Sequence, residues 1–459
     1  MSAAVDFTYR YPFASAVVTD EQGLGLRLAT CGARHEHPHF FDGALRQPRM
    51  AGDMLLVLSE VVRTHFFLPR PANLDPVVTS SESMLRFEGF SGCCGVYARA
   101  DFPAEAFDRD IQGHGTTNVD FNDPMRAALT RLRDHDRARL SVGAAAVTLS
   151  RGEESVVEKK VKLPIRWIKG FSEVQAYQPG LEMRLEVPPA EARRFIRSLP
   201  RGSGPKRVQY VTQTGRALRL SARQARGAIP IAGTRRIRVL EPLMNSARSL
   251  RIWCDDAGTS GWEVCFPTGR FFLMISPEVY RGFSGEGQVL ENLAQGKWQE
   301  ALPYVDGQLG WQTEIDAADI SGRVGLPVEE VEAALAVLGT RGLAGYDVST
   351  GRYFHRKLPF DLSQIEALQP RLKGARKLLD DKRVAIRKEL PDAEYDMEVG
   401  GTDVMHHVRL RSDGDRCSCP WFSKHQGQRG PCKHILAARM FIDKDEPVPE
   451  EPQTTQRAE

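Results

Sequence analysis

Three cysteines and one histidine near the carboxyl end of the chain have the residue types and the spacing of a metal site. Cys417 and Cys419 form a Cys-x-Cys pair, and after twelve residues Cys432 and His434 form a Cys-x-His pair. Thiolate and imidazole are the donors that zinc prefers, and four of them complete a tetrahedral structural site. The spacing therefore predicts one structural Zn2+ ion with no open position for a reactive water. His425, between the two pairs, is a spare donor that ranks below His434.

The sequence around these ligands predicts two strands followed by a helix. Alternating polar and apolar residues precede Asp413-Gly414, which is typical of a hairpin turn. The returning strand would hold Cys417 and Cys419 on one face, because side chains two apart in a strand point the same way. A helix that opens at His434 would turn this imidazole toward Cys432.

In this region the chain resembles the SWIM zinc finger family, whose Cys-x-Cys and Cys-x-His pairs are held in a strand–strand–helix arrangement. The surrounding residues that also match are Pro420, Phe422, Gly430 and Lys433 to Ala437. The resemblance implies a bacterial protein that binds DNA or protein, not one that catalyses a reaction. It also implies company with ATPases of the helicase or chaperone type, so an ATPase is one expected partner. Segments 38–43 and 87–102 fit the same family without indicating an activity.

The second chemical feature is an arginine-rich segment. Residues 192–240 contain thirteen lysines or arginines, twelve of them arginine, and no aspartate or glutamate. A guanidinium can fork onto a phosphate and an ammonium cannot, so this bias favours an anionic partner such as DNA or another nucleic acid. The alternative is that these arginines pair with acids elsewhere in the fold. The residues that we predict to bind nucleic acid are Arg194, Arg197, Arg201, Lys206, Arg207, Arg429 and Lys433.

Signals for an active site are weak. His35, His37 and His39 could share one face of a strand, but they lack the His-Glu-x-x-His spacing of a zinc protease. The glycine-rich segment 201–206 is not the Gly-x4-Gly-Lys-Ser/Thr of a phosphate loop, and the Gly-x-Ser-x-Gly pattern of a hydrolase is absent. We therefore predict that the protein is not an enzyme. An unrecognised active site in residues 1–280 is the alternative.

Residues 1–280 are predicted to form a large α+β region of one or two domains. Apolar alternation and turn residues predict strands at 249–254, 262–266 and 271–275. Helical spacing predicts helices at 54–64, 124–133 and 189–198. The cysteines outside the metal site are expected to be buried apolar side chains without disulfides, and they are Cys31, Cys93, Cys94, Cys254 and Cys265.

Residues 285–359 are predicted to form a winged-helix-like domain. Segments 288–295, 315–324 and 327–338 have helical spacing, and a hairpin follows around Ser349-Thr350-Gly351. Such domains commonly read DNA with their third helix, but this helix carries three glutamates that phosphate would repel, Glu329, Glu330 and Glu332. We therefore favour packing or protein contact for this domain. The alternative is DNA contact through the hairpin residues Arg352, Arg356 and Lys357.

The rest of the chain divides into a basic helical connector at 360–390, the SWIM-type ββα module at 391–443 and a disordered acidic tail at 444–459. The whole chain of 459 residues is thus predicted to be an α+β multidomain protein. Its 41% hydrophobic and 26% charged content is ordinary for a globular chain. With neither a membrane-spanning run nor a signal-peptide pattern, a cytoplasmic location is expected. We predict nucleic-acid or protein binding, with an adaptor for an ATPase as the alternative.

Overall fold

A computed structural model of the chain describes residues 16–20, 23–27, 39–67, 76–161, 163, 165–202, 207–283, 298–358, 370–402, 404–427 and 429–445. Several predictions lie outside these residues. They concern Cys31, His35, His37, Lys206, the helix at 288–295 and the tail beyond 445. Among the described residues, no helix combines the length and the apolar composition needed to cross a membrane.

Strands occur along the described chain and are most numerous in its amino-terminal half. The strands are β1 Ala16–Asp20, β2 Gly23–Arg27, β3 His39–Ala44, β4 Val77–Ser80, β5 Met84–Phe90, β6 Val96–Pro103, β7 Gly115–Asn118, β8 Ala138–Gly143, β9 Ala146–Arg151, β10 Glu154–Lys159, β11 Glu182–Val187, β12 Gln209–Thr214, β13 Ala217–Ser221, β14 Ile229–Ile231, β15 Ser249–Cys254, β16 Ser260–Phe266, β17 Gly269–Ile275, β18 Ala344–Asp347, β19 Arg352–His355, β20 Val384–Leu390, β21 Glu394–Gly400, β22 Met405–Leu410 and β23 Arg416–Cys417.

Helices are distributed along the whole chain. The α-helices are α1 Pro48–Arg63, α2 Asp123–Arg131, α3 Ile165–Tyr177, α4 Pro189–Ser198, α5 Arg235–Arg238, α6 Trp298–Asp306, α7 Ala317–Val324, α8 Val328–Thr340, α9 Pro370–Asp380, α10 Pro420–His425 and α11 Lys433–Asp445. The mixed α+β, multi-sheet architecture predicted from sequence is confirmed. So are the helix predicted at 189–198 and the strand predicted at 249–254, both with their bounds.

An eight-stranded antiparallel sheet organises residues 77–275, in the order β11-β15-β16-β17-β6-β5-β4-β7. One face packs on α1 and α4 through alternating apolar side chains such as Val96, Ala98 and Phe271. The other face packs part of its area on α3, where Phe90 lies against Phe171 with ring centroids 4.9 Å apart. Both faces of the central strands are therefore buried, including the charged residues that alternate with apolar ones in β5 and β6.

The remaining part of that second face is charged and is covered by the β18–β19 hairpin. Asp347 of the hairpin lies 3.0 Å from Arg99, 2.6 Å from Arg270 and 3.4 Å from Arg86. Burial alone would raise the pKa of Asp347, but the three guanidinium groups hold it well below its usual range. The hairpin is therefore docked by a buried cluster of ion pairs.

A second buried pair lies beside this cluster. Arg356 follows β19 and bonds Glu88 of the sheet, and neither side chain is exposed. Tyr97 also donates to Glu88, at 2.6 Å. Because Arg356 is fully buried, the DNA contact considered for it from sequence is wrong. The reason is that Glu88, 268 positions away in the chain, is its counter-ion.

Residues 298–358 contain three helices and the hairpin, and α7 and α8 match two predicted helices. Asp316 caps α7 by accepting from the Ala318 N–H at 2.9 Å, and Gly325 ends this helix with a φ of 73°. Helix α6 was not predicted from sequence. The elements follow one another in the order expected of a winged helix, but identification of that domain type stays a prediction.

The carboxyl-terminal residues 370–445 share one hydrophobic core. Leu372 and Leu378 of α9 pack with Val399 of β21 and with Ile435 and Leu436 of α11. Strands β20-β21-β22-β23 form an antiparallel sheet beside these helices. The boundaries predicted for the separate segments therefore remain predictions, while α9 and the sheet pack as one body.

The helical connector predicted up to residue 390 is wrong in its second half. Helix α9 ends at Asp380, and Lys382 then adopts a left-handed φ of 52°, which a helix cannot continue through. Residues 384–390 form β20 and pair with β21. Pairing with a neighbouring strand outweighed the helical preference of the basic residues, which local sequence alone could not reveal.

Candidate metal centre

Four different backbone segments position the predicted metal ligands. Cys417 ends β23, opposite Val408 of β22, and Cys419 is the residue that caps the amino end of α10. Cys432 precedes α11, and His434 lies in the first turn of that helix. All four side chains are buried, with 2 to 6% of their surface exposed. The fold therefore brings together residues from both ends of the predicted module.

The four ligand atoms form a compact group. They all lie within 4.8 Å of one another. The Nδ1 atom of His434 is 3.9 Å from the Cys417 sulfur and 4.0 Å from the Cys432 sulfur. Around a tetrahedral zinc with bonds of about 2.0 to 2.3 Å, ligand atoms lie roughly 3.5 to 3.8 Å apart. The group fits one structural Zn2+ if its widest pair of ligand atoms closes by up to about 1 Å.

Backbone N–H groups surround the sulfurs. The Cys419 N–H points to the Cys417 sulfur at 3.4 Å, the Phe422 N–H to the Cys419 sulfur at 3.3 Å, and the Ile435 N–H to the Cys432 sulfur at 3.5 Å. Two of these donors belong to first turns of helices, where unpaired N–H groups favour negative charge. Hydrogen bonds from the Cys417 and Cys432 thiols lower the pKa of Cys419. The pKa values of Cys417 and Cys432 are raised in the same cluster, so these hydrogen bonds favour thiolate, the form that zinc binds, at Cys419.

One local prediction needs correction. Cys419 was expected on the returning strand with Cys417, but β23 ends at Cys417 and Cys419 begins α10. The reason is Pro420, which suits the first position of a helix and cannot donate to a strand ladder. His425, the spare donor, is absent from the cluster and lies at the end of α10 against Trp421, with ring centroids 4.8 Å apart.

One arginine from outside the ligand loop stabilises that loop. Arg371 of α9 donates to the carbonyl oxygens of Arg429 at 2.9 Å and Pro431 at 2.7 Å. Its guanidinium also lies over the Trp421 ring, 4.5 Å from the centroid. Trp421 is thereby engaged inside the protein, and Phe422 is only 8% exposed. Neither aromatic ring presents a free stacking platform for bases.

Most basic residues of the zinc module have an acidic partner. The ion pairs join Arg409 with Asp396, Arg411 with Glu394 and Asp396, Arg416 with Asp413, Arg429 with Glu278, and Arg439 with Asp415. Lys433 is half-buried and its aliphatic stem runs along Gly374 of α9. The positive charge of these basic residues is therefore largely compensated in the folded module.

The arginine-rich segment separates into two groups. Five of its arginines serve the fold through acids or backbone carbonyls, and they are Arg193, Arg194, Arg197, Arg236 and Arg238. Arg194 pairs with Glu191 at 2.7 Å and Arg197 with Glu241 at 3.2 Å. The alternative of pairing with acids was correct for Arg194, Arg197 and Arg238, whereas Arg193 and Arg236 donate to backbone carbonyl oxygens. Glu191 and Glu241 lie three residues from Arg194 and Arg238, but the carbonyl partner of Arg236, Val279, lies far along the chain and had no local signal.

The seven predicted nucleic-acid contacts are thus not one surface. Arg201 and Arg207 are exposed, while Lys206 lies outside the described residues. Arg194, Arg197, Arg429 and Lys433 are engaged as described above. Binding of nucleic acid by this set stays a prediction. Of His35, His37 and His39, the first two lie outside the described residues, and His39 is exposed at the start of β3.

Comparison with known proteins identifies the metal module. Residues 406–438 match the family model described as SWIM zinc finger. This confirms the family predicted from the cysteine and histidine spacing, and the four ligands fit its single structural zinc. A search of curated proteins found no match.

Two solved structures are similar to about half of the chain. The first is the proliferating cellular nuclear antigen of Entamoeba histolytica, at 9% identity and a TM-score of 0.36, over 53% of this chain and 99% of that one. The second is the PCNA2-PCNA3 complex of Sulfolobus tokodaii, at 11% identity and a TM-score of 0.38, over 52% of this chain and 100% of that one.

Proposed function

We propose that the protein is a cytoplasmic, non-enzymatic binding protein for nucleic acid, and that its SWIM module is structural. One observation carries the proposal: the described metal centre offers three sulfurs and one imidazole, all buried. Four protein ligands fill the tetrahedral sphere of Zn2+ and leave no position for a water or a substrate. When bound, the ion would supply cross-linking of β23, α10 and α11, and no chemistry on a substrate.

Support for a nucleic-acid partner comes from charge. Residues 192–240 carry thirteen basic and no acidic side chains, and the exposed arginines among them suit phosphate. The described cysteines are free thiols, which suits a reducing compartment such as the cytoplasm. We assign the winged-helix-like residues 298–358 to packing, because their hairpin is buried on the large sheet.

A salt titration tests the partner class. Zinc-loaded full-length protein is mixed with fluorescein-labelled duplex DNA, single-stranded DNA and single-stranded RNA at 50 mM salt, and anisotropy is followed as salt rises to 200 mM. Contacts to several phosphates predict a steep, linear fall of log K against log salt. No binding to any of the three at 50 mM salt would overturn the nucleic-acid proposal.

A protein partner, such as an ATPase, is the second candidate. It is supported by Val404 and Met405, adjacent apolar residues beside the zinc module that are 58% and 52% exposed. Exposed apolar side chains of this size are common at protein contacts when they cluster. Loss of nucleic-acid binding at all salt concentrations would favour this adaptor, or the alternative of an enzyme in residues 1–280.

A further inference from the structure

The three-stranded sheet β13-β12-β14 carries an unusual set of exposed arginines. Among the described residues none of them has an acidic partner within 4 Å, in contrast to the arginines of the zinc module. All are exposed, and they are Arg201, Arg207, Arg216, Arg219, Arg223, Arg226 and Arg235. Their positive charge is therefore directed at solvent.

The sheet has an inner and an outer face, and the strand register separates them. Val211, Leu218 and Ile229 are buried against the main core. The opposite face carries Tyr210, Thr212 and Arg219, since Thr212 pairs with Arg219 and Tyr210 with Ser221. This outer face therefore combines hydroxyl donors with a guanidinium and contains no acid.

Exposed arginines in the adjoining loops add positive charge at both ends of the hairpin. Arg207 precedes β12 and Arg223 follows β13, so both lie at the end of the hairpin where Tyr210 pairs with Ser221. Arg216 occupies the turn at the opposite end. The strand residues between these points include no acid, and the carboxylate beside them, Glu191, accepts from the Leu218 N–H at 2.6 Å and pairs with Arg194.

A groove of about 540 Å3 marks where the basic face ends. Tyr210 and Pro230 line it from the sheet, and Arg226 lines it from the loop before β14. The far wall is the turn with Asp255 and Asp256. An anion lying along the sheet would be repelled beyond this wall, which gives the surface a defined border.

The geometry points to this outer face, which we call the arginine face, as the place where the backbone of duplex DNA binds. The inference rests on the proposed nucleic-acid function and names its surface. Arginine forks onto phosphate oxygens, and hydroxyls such as Thr212 also donate to them. Surfaces for single strands add successive aromatic rings for stacking, and this face offers only Tyr210. Recognition by charge alone makes the contact independent of sequence.

The zinc module is the other basic surface that could bind duplex DNA, but most of its arginines are paired with acids. Five of its arginines pair with acids, and Trp421 is covered by Arg371. A duplex approaching the module would have to break these pairs, whereas the arginine face offers its guanidinium groups without such a cost. The structure therefore separates the DNA contact from the metal.

The test compares two triple variants of the zinc-loaded full-length protein. The first is Arg207→Gln, Arg219→Gln and Arg223→Gln on the arginine face. The matched control is Arg131→Gln, Arg387→Gln and Arg416→Gln, which removes the same charge from exposed arginines that pair with Glu154, Glu398 and Asp413. Circular dichroism and the thermal midpoint establish that both remain folded.

Loss of three phosphate contacts lowers the salt slope by about 2.7 and weakens binding of a labelled 20-base-pair duplex at least roughly tenfold at 0.1 M salt. The control changes affinity less than about twofold. A third variant with lysine at positions 207, 219 and 223 recovers most of the affinity, because it keeps the charge. Tighter binding to single strands than to duplex would overturn the duplex assignment.

Two further outcomes separate this inference from the proposed function. If the arginine-face triple binds duplex as the wild type does, while Cys432→Ser abolishes binding, the contact lies on the zinc module and only the inference fails. If the wild type binds no nucleic acid at 50 mM salt, the proposed function fails and the inference with it. An equal loss in the control and in the arginine-face triple would also overturn the inference.

Discussion

The zinc module and the arginine face are both rich in basic side chains, but their charges are arranged differently. In the module, Arg416 faces Asp413 and Arg439 faces Asp415 at 2.5 Å. On the arginine face, Arg219 and Arg223 have no acidic partner among the described residues. A count of lysines and arginines therefore does not locate a surface that binds a polyanion. What matters is which charges the fold leaves uncompensated.

Removal of zinc should have the largest effect and should affect only the module. In Cys417→Ser and Cys432→Ser, the thiolate cross-links are lost, and structural zinc contributes on the order of 10 kcal/mol to small modules. We expect residues 405–442 to lose protection from hydrogen exchange, together with the bound zinc. Cys265→Ser, at a half-buried cysteine far from the site, is the control and should retain zinc.

Duplex binding by Cys432→Ser distinguishes the arginine face from the zinc module as the DNA contact. If the arginine face carries the contact, this variant keeps most of its affinity although its module is unfolded. Continued exchange protection of residues 405–442 after zinc removal would contradict the structural role of the metal.

In the buried ion pairs under the hairpin, each charge has a counter-ion. Removing one partner should give the next largest effect, a loss of folding stability. Glu88→Gln leaves the Arg356 guanidinium buried without its counter-ion, which costs about 3 to 5 kcal/mol. Denaturant unfolding measures this change in the free energy of unfolding. Glu154→Gln, which removes an acid with 61% of its side chain exposed, should cost less than about 1 kcal/mol.

The double variant Glu88→Leu with Arg356→Met tests the mechanism of that loss. Removing both charges eliminates the unpaired guanidinium, so part of the lost stability should return. Equal stability of Glu88→Gln and Glu154→Gln would show that the pair is not buried as described.

A smaller effect on duplex binding is expected when one or two basic residues are replaced on the arginine face or in the zinc module. Arg219→Gln should reduce the salt slope of duplex binding by about 0.9, as for one lost phosphate contact. Arg409→Gln with Arg416→Gln removes two charges from the module, but these already face Asp396 and Asp413. Anisotropy titrations should show little change for this double variant. A larger loss in the module than on the arginine face would reverse the comparison.

The smallest effect concerns an acid without a basic partner in the described structure. Burial raises the pKa of Glu158 from 4.5 to about 7, although Asn122 donates to it at 2.8 Å. Because the folded state holds this proton more tightly, stability falls as pH rises from about 4.5 to 7 and is level above. Glu158→Gln cannot ionise and should not show this fall. Denaturant midpoints at pH 5 and pH 8 measure the difference, and identical pH profiles would contradict it.

Local patterns predicted part of the fold correctly. Helix α4 and strand β15 both have the bounds predicted from their local sequence. Helix signals at residues 384–390 failed, since strand pairing with β21 decided that segment. Pairing partners depend on distant residues, so local propensity could not anticipate the result.

The metal centre could be predicted from residue types and spacing, because Cys417, Cys419, Cys432 and His434 lie within eighteen residues and their chemistry admits few other partners. Which charges remain uncompensated depends on how the chain folds. Glu88 meets Arg356 across 268 positions, and Arg429 meets Glu278 from another part of the chain. Coulomb energy depends on distance in space and on burial, and neither quantity can be read from the order of residues.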